Sequence, residues 1–159
     1  MDHESYSDDY LRAILRSVRT IAMIGASPHW NRPSYFAMKY LQDKGYRVIP
    51  VNPQAEGESI LGEKVYRSLA EVPDKIDMVD LFRRADAAPE LVDQAIAKGA
   101  KVVWMQLGVR NAEAAAKAEA AGLKVVMNRC HKIEYSRLNG ELGWSGVNTG
   151  IISSKRRKL

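Results

Sequence analysis

A doubly wound, five-stranded parallel α/β sheet in a single domain is the fold this sequence predicts, and three observations carry the prediction. Short apolar runs of strand length alternate with helical stretches from residue 20 to residue 128. Those runs are apolar on both faces, as strands covered by helices on each side must be. A chain of 159 residues with 46% hydrophobic content supplies one proper core and not two.

Taken in order, residues 8–18 (DDYLRAILRSV) place Leu11, Ile14, Leu15 and Val18 at helical spacing, with Ser7 or Asp8 as the N-cap. This predicts an N-terminal helix, within residues 1–19, packed on one edge of the domain. TIAMIG at 20–25 is a strand ending at Gly25. PSYFAMKYLQDKG is a helix with Pro33 at its first position and Gly45 at its C-terminal cap. YRVIPVN (46–52) and IDMVDLF (76–82) are strands, and APELVDQAIAKGA (88–100) is a helix capped by Gly99. KVVWMQ (101–106) is a strand, NAEAAAKAEAAG (111–122) a helix and LKVVMN (123–128) the last strand. Between 53 and 75 the pattern is less regular, with a small strand near Lys64–Tyr66 and a short helix near Ser68–Val72. The domain therefore spans 20–140, and 141–159, rich in Gly, Asn and Ser before a basic end, reads as loop and tail. Right-handed crossovers make the expected strand order 3-2-1-4-5.

Composition excludes several function classes. The net charge is +5, but Lys155, Arg156, Arg157 and Lys158 supply four of those charges and leave the body nearly neutral, with no basic stripe for nucleic acid. A single cysteine, Cys130, excludes an internal disulfide framework, and no His, Cys and carboxylate spacing matches a metal site. No stretch approaches the roughly 18 apolar residues that cross a bilayer. The expectation is a cytoplasmic protein bound to neither membrane nor nucleic acid.

In such a sheet, ligands sit outside the carboxyl ends of the strands. The NAD fingerprint there needs glycines at its first, third and sixth positions. Counted from Gly25, those positions hold Gly25, Ser27 and Trp30, and the acidic residue that should end the second strand is replaced by Asn52 and Pro53. NAD is disfavoured, and NADP less so. The turn does offer Gly25, the Ser27 hydroxyl, Arg32 and a helix N-terminus at Pro33-Ser34, with Arg83 and Arg84 leaving the third strand nearby. All of these suit phosphate. The aromatics Trp30, Tyr35, Phe36 and Tyr40 read mostly as core, with Trp30 an alternative wall for an adenine or pantetheine channel.

The stretches IAMIGASPHWNRPS, GYRVIPVNP, DMVDLFRR, VVWMQLGV and VMNRCHKIEYSRL together resemble the small bacterial and archaeal CoA-binding proteins. That family is similar to the CoA-binding domain of the succinyl-CoA synthetase alpha subunit and of ADP-forming acyl-CoA synthetases. The resemblance implies a Rossmann-like fold that holds coenzyme A by its 3′-phosphorylated ADP and diphosphate. By position, its contacts fall on Gly25, Ala26, Ser27, Arg32 and Ser34, on Asn52 and Pro53, on Phe82, Arg83 and Arg84, and on Gln106, Gly108 and Val109. Where the family often has Asp-Arg-Cys, this chain has Asn128-Arg129-Cys130, which removes a carboxylate from that exit.

The expected function is binding of CoA or acyl-CoA, with no catalytic residue assigned. The synthetases need further domains for which this length has no room, and adjacent side chains such as Cys130 and His131 diverge instead of forming a nucleophile and base pair. A helix beginning at Cys130 would favour its thiolate and a mixed disulfide with CoA on oxidation. An NADP-linked oxidoreductase or redox sensor, and an acyl-CoA-dependent enzyme or regulator, stand as alternatives, and an exposed apolar helix face would support a homodimer.

Overall fold

The structure is a computed structural model that describes residues 1–140; the expected loop and basic tail at 141–159 lie outside the described residues. The elements run α1 (Asp8–Ser17), β1 (Thr20–Ile24), α2 (Pro33–Asp43), β2 (Arg47–Val51), β3 (Ser59–Ile60), β4 (Glu63–Lys64), β5 (Met78–Leu81), α3 (Ala88–Lys98), β6 (Val102–Met105), α4 (Ala112–Ala120), β7 (Lys124–Val126) and α5 (His131–Leu138). Short 3₁₀ turns occupy Pro53–Ala55, Leu69–Glu71 and Ala85–Ala87. Ser7 caps α1 by accepting the Tyr10 amide at 3.1 Å. Gly99 stands at the end of α3 with φ 80°, and Gly45 follows α2 with φ 94°, in the conformation that glycine adopts without strain.

All five long strands are parallel, in the order β2-β1-β5-β6-β7. Counted along the chain as parallel strands, that is 2-1-3-4-5, which corrects the expected 3-2-1-4-5. The reason lies in β2 itself. Pro50 has no N–H to give to a ladder, so its strand belongs at an edge. The outer side of β2 is closed by the segment after it: Tyr66 N–H donates to Pro50 O at 3.1 Å, and Asn52 N–H to Tyr66 O at 2.9 Å. The β3–β4 hairpin belongs to that same cover.

Alternate residues of the strands feed two cores. One side carries α3 and α4 through Val92, Ala95, Ala114 and Ala118 against Val79, Leu81, Val103 and Met105. The other carries α1, α2 and α5 through Leu11, Ile14, Leu41 and Tyr135 against Met23, Met78 and Trp104. Burying each such aliphatic side chain is worth about 1.5–3 kcal/mol before conformational entropy is charged.

The free edge of β7 is stoppered by tyrosines. Tyr10 OH donates to Val125 O at 2.9 Å and accepts from Val125 N–H at 3.0 Å, while Tyr6 OH accepts from Met127 N–H at 2.8 Å. Burial pushes both phenols above their ordinary value. The residues before α1 thereby reach the fifth strand exit, where Arg129 lies 5.2 Å over the Tyr6 ring and donates to Glu4 O at 2.8 Å.

Candidate functional site

The sheet's strand order reverses between β1 and β5, and a crevice opens there at the carboxyl ends of the strands. Gly25, directly after β1, has φ 92° and donates its N–H to Val51 O at 2.9 Å. A Cβ on it would stand 2.5 Å from the Phe82 carbonyl oxygen, so the exits of β1 and β5 meet only because residue 25 has no side chain. The loop then folds on itself. Ser27 N–H donates to Ser34 Oγ at 3.1 Å, and His29 N–H donates to Ser27 Oγ at 3.2 Å. Arg32 enters α2 as its N-cap residue, followed by Pro33 at the first helical position.

These residues border a cleft of about 480 Å³ lined by Gly25, Ser27, His29, Arg32, Ser34, Asn52, Glu58 and Phe82, among others. Tyr35 and Phe36 turn their amides back to Arg32 O, and Pro33 has no amide hydrogen. Among the described residues, no backbone carbonyl takes up the Ser34 N–H, which with the dipole of the 11-residue α2 leaves the end of the helix attractive to an anion. Arg32 is exposed, and among the described residues no carboxylate pairs with it. Glu58 is the carboxylate on the cleft wall.

Not all the residues expected at the site converge on this cleft. Gly25, Ser27, Arg32, Ser34, Asn52 and Phe82 do. Pro53 and Arg83 line a neighbouring cavity of about 220 Å³, together with Leu69, Leu91 and Gln94. Arg84 points outward, 87% exposed, 3.5 Å from Asp86. Ala26 is buried and serves by its carbonyl, and Val109 packs into the core against α4. Gly108 is exposed at φ 85° with its N–H on Asn128 Oδ1 at 2.7 Å. Asn128 itself has φ 58°, a conformation that Asn tolerates better than most residues, and ties the fourth and fifth exits together. Cys130 is half-buried at the N-cap of α5. The reading of Trp30 and Phe36 as core is corrected: they are 72% and 48% exposed, because Trp30 lies in the loop and Phe36 on the outer side of the first turn of α2. Of the four aromatics, Tyr40 alone is buried.

Asn52 shows why an amide stands where a dinucleotide site would have an acid. Its Nδ2 donates to Ala26 O at 2.8 Å, tying the second loop to the first, and its Oδ1 accepts the Gln54 N–H at 2.9 Å, capping its own turn. An acid could make only the second bond. Asn52→Asp is expected to cost about 1–3 kcal/mol by facing the Ala26 carbonyl with a carboxylate, read as a lower urea midpoint at pH 7. An unchanged midpoint would show that the two loops do not depend on this bond.

A polar cluster beneath the exits carries no sequence motif. Asp80 and His131 are fully buried and Gln106 is 5% exposed. Asp80 Oδ2 lies 2.6 Å from His131 Nε2, and Asp80 Oδ1 accepts from Gln106 Nε2 at 2.6 Å. His131 sits between the Phe82 ring, 6.2 Å away, and the indole of Trp104, 6.0 Å away. The one signal was a charge, Asp80, inside an apolar strand.

A family model described as CoA binding domain matches residues 19–136. The chain is 35% identical over 126 residues to the uncharacterized protein YneT of Bacillus subtilis (strain 168), across 79% of this chain and 92% of that protein. It is 36% identical over 89 residues to the alpha subunit of an ADP-forming acetate–CoA ligase I from Pyrococcus furiosus, across 54% of this chain and 19% of the subunit. A hypothetical protein from Pyrococcus horikoshii OT3 superposes with a TM-score of 0.80 at 46% identity, covering 87% of this chain and 99% of that one.

Proposed function

The chain belongs to the CoA binding domain family, and from that premise we propose that it binds coenzyme A, free or acylated, in the cleft between the exits of β1 and β5. The observation that carries the reading is the donor set of that cleft: the N-terminus of α2 with the Ser34 amide, and an arginine whose charge no described carboxylate neutralises. Such donors fit the phosphates of CoA, each adding a charge-assisted hydrogen bond. Gly25 lets the floor of the cleft close, and Asn52 holds the first and second loops at one distance. Nothing in this set is a nucleophile beside a base, so the role is to bind and present the ligand. The matched segment is about a fifth of the ligase subunit, and ligase chemistry is not part of the proposal.

Calorimetric titration of ligand-stripped protein with CoA, dephospho-CoA, an acyl-CoA, NADPH and NADH tests it. CoA is expected to bind, and to bind more weakly without its 3′-phosphate. Arg32→Ala is expected to weaken CoA by about tenfold or more, the worth of a lost charge-assisted contact. Arg84→Ala, whose side chain faces solvent beside Asp86, should leave the affinity within a factor of two or so. Tight NADPH binding with no heat from CoA would overturn the reading.

A further inference from the structure

A carboxylate in the central strand of a parallel sheet is expensive to bury, and Asp80 is fully buried there. Its two oxygens each have one partner, His131 Nε2 and Gln106 Nε2, both at 2.6 Å. A carboxylate accepts and cannot donate, so both partners must donate to it. The proton on the ring of His131 is thereby placed on Nε2. The amide of Gln106 is likewise placed with its nitrogen inward and its oxygen, Oε1, on the far side from Asp80.

The register sets where Gln106 stands. Asp80 pairs with Trp104 across β5 and β6, and Gln106 is two residues further toward the strand exits. Gln106 therefore stands just past the end of β6, at the ligand end of the sheet, with its amide nitrogen on the buried carboxylate. The phosphate donors, Arg32 and the α2 N-terminus, stand at the exit of β1, two strands away, or roughly 10 Å. An acceptor oxygen repels a phosphate and receives an N–H.

We propose that Asp80 is a positioning residue that turns Gln106 into a fixed hydrogen-bond acceptor for an amide N–H of the pantetheine arm of CoA. This rests on the CoA reading above, and it assigns the exit of β6 to the arm and the exit of β1 to the phosphates. His131 completes the device by occupying the second oxygen of Asp80, so that Gln106 has only one way to face.

The substitution Asp80→Asn tests the direction of that amide. While His131 keeps its proton on Nε2, Oδ1 of the new side chain takes that N–H and its NH₂ group faces Gln106, which then turns its oxygen inward and its NH₂ toward the ligand. Titration with CoA and with 3′-phosphoadenosine 5′-diphosphate, which is CoA without its pantetheine arm, reads the outcome. CoA should weaken about tenfold in Asp80→Asn while the nucleotide is unchanged. The double variant Asp80→Asn/Gln106→Glu should recover CoA binding, because a carboxylate at 106 accepts from the new NH₂ with one oxygen and presents the other. Gln106→Leu, which keeps Asp80 and its bond to His131, should show the same split between the two ligands, and it carries the test if a thermal melt shows Asp80→Asn unfolded. Equal weakening of both ligands, or no weakening of either in Gln106→Leu, overturns the proposal. Failure of the unsubstituted protein to bind CoA overturns the CoA reading itself, and the inference with it.

Discussion

Gly25→Ala is expected to destabilise the protein by about 3 kcal/mol or more, by adding backbone strain to a steric clash that has no soft escape. At φ 92° an alanine is already disfavoured. Its methyl group would also stand 2.5 Å from the Phe82 carbonyl oxygen and 2.9 Å from the carbon, and these are backbone atoms at the end of the central strand β5. Relief requires the exits of β1 and β5 to separate, which opens the floor of the cleft. Gly108→Ala is the control, because φ is 85° there but no atom lies within 4 Å of the added methyl group. It should cost only the backbone strain, about 1 kcal/mol. Urea unfolding of both variants checks the pair. Equal midpoints would mean that the contact between Gly25 and Phe82 is not a constraint on the fold.

The second large effect is at His131. His131→Ala is expected to cost about 3–5 kcal/mol, since removing a hydrogen-bond donor from a fully buried carboxylate leaves that group uncompensated. The imidazole is fully buried against Phe82 and Trp104, so a cavity adds to the loss. Replacing both partners with apolar groups, as in Asp80→Leu/His131→Leu, should cost less than the single change, because no charge is then stranded. That ordering is the diagnostic one. A double variant less stable than the single would show that the pair stabilises the fold by attraction, beyond offsetting its own desolvation.

The alternation of strands and helices, the caps at Ser7, Gly45 and Gly99, and the turn at Gly25 were all legible in the chain, because each depends on a handful of adjacent residues. The edge position of β2 was legible too, in Pro50, and the expected order missed it by weighing crossover handedness without the missing N–H. The cleft was half legible. The first loop and Asn52 come together as expected, but Arg83 and Arg84, equal in the sequence, part company: one lines the neighbouring cavity and the other faces solvent. Residue type does not decide between them, since both are exposed arginines and the course of the chain after β5 sets their directions.

The sequence by itself determined the element types, their order and the end of the sheet at which the candidate cleft opens, since apolar periodicity and turn chemistry are written within one or two turns of chain. Tertiary structure alone decided which side chains meet. Asp80 finds Gln106 across 26 residues and His131 across 51, and Asn52 finds the Ala26 carbonyl across 26. Such contacts are fixed by strand register and helix packing over long separations, so no local pattern in the residues marks them in advance.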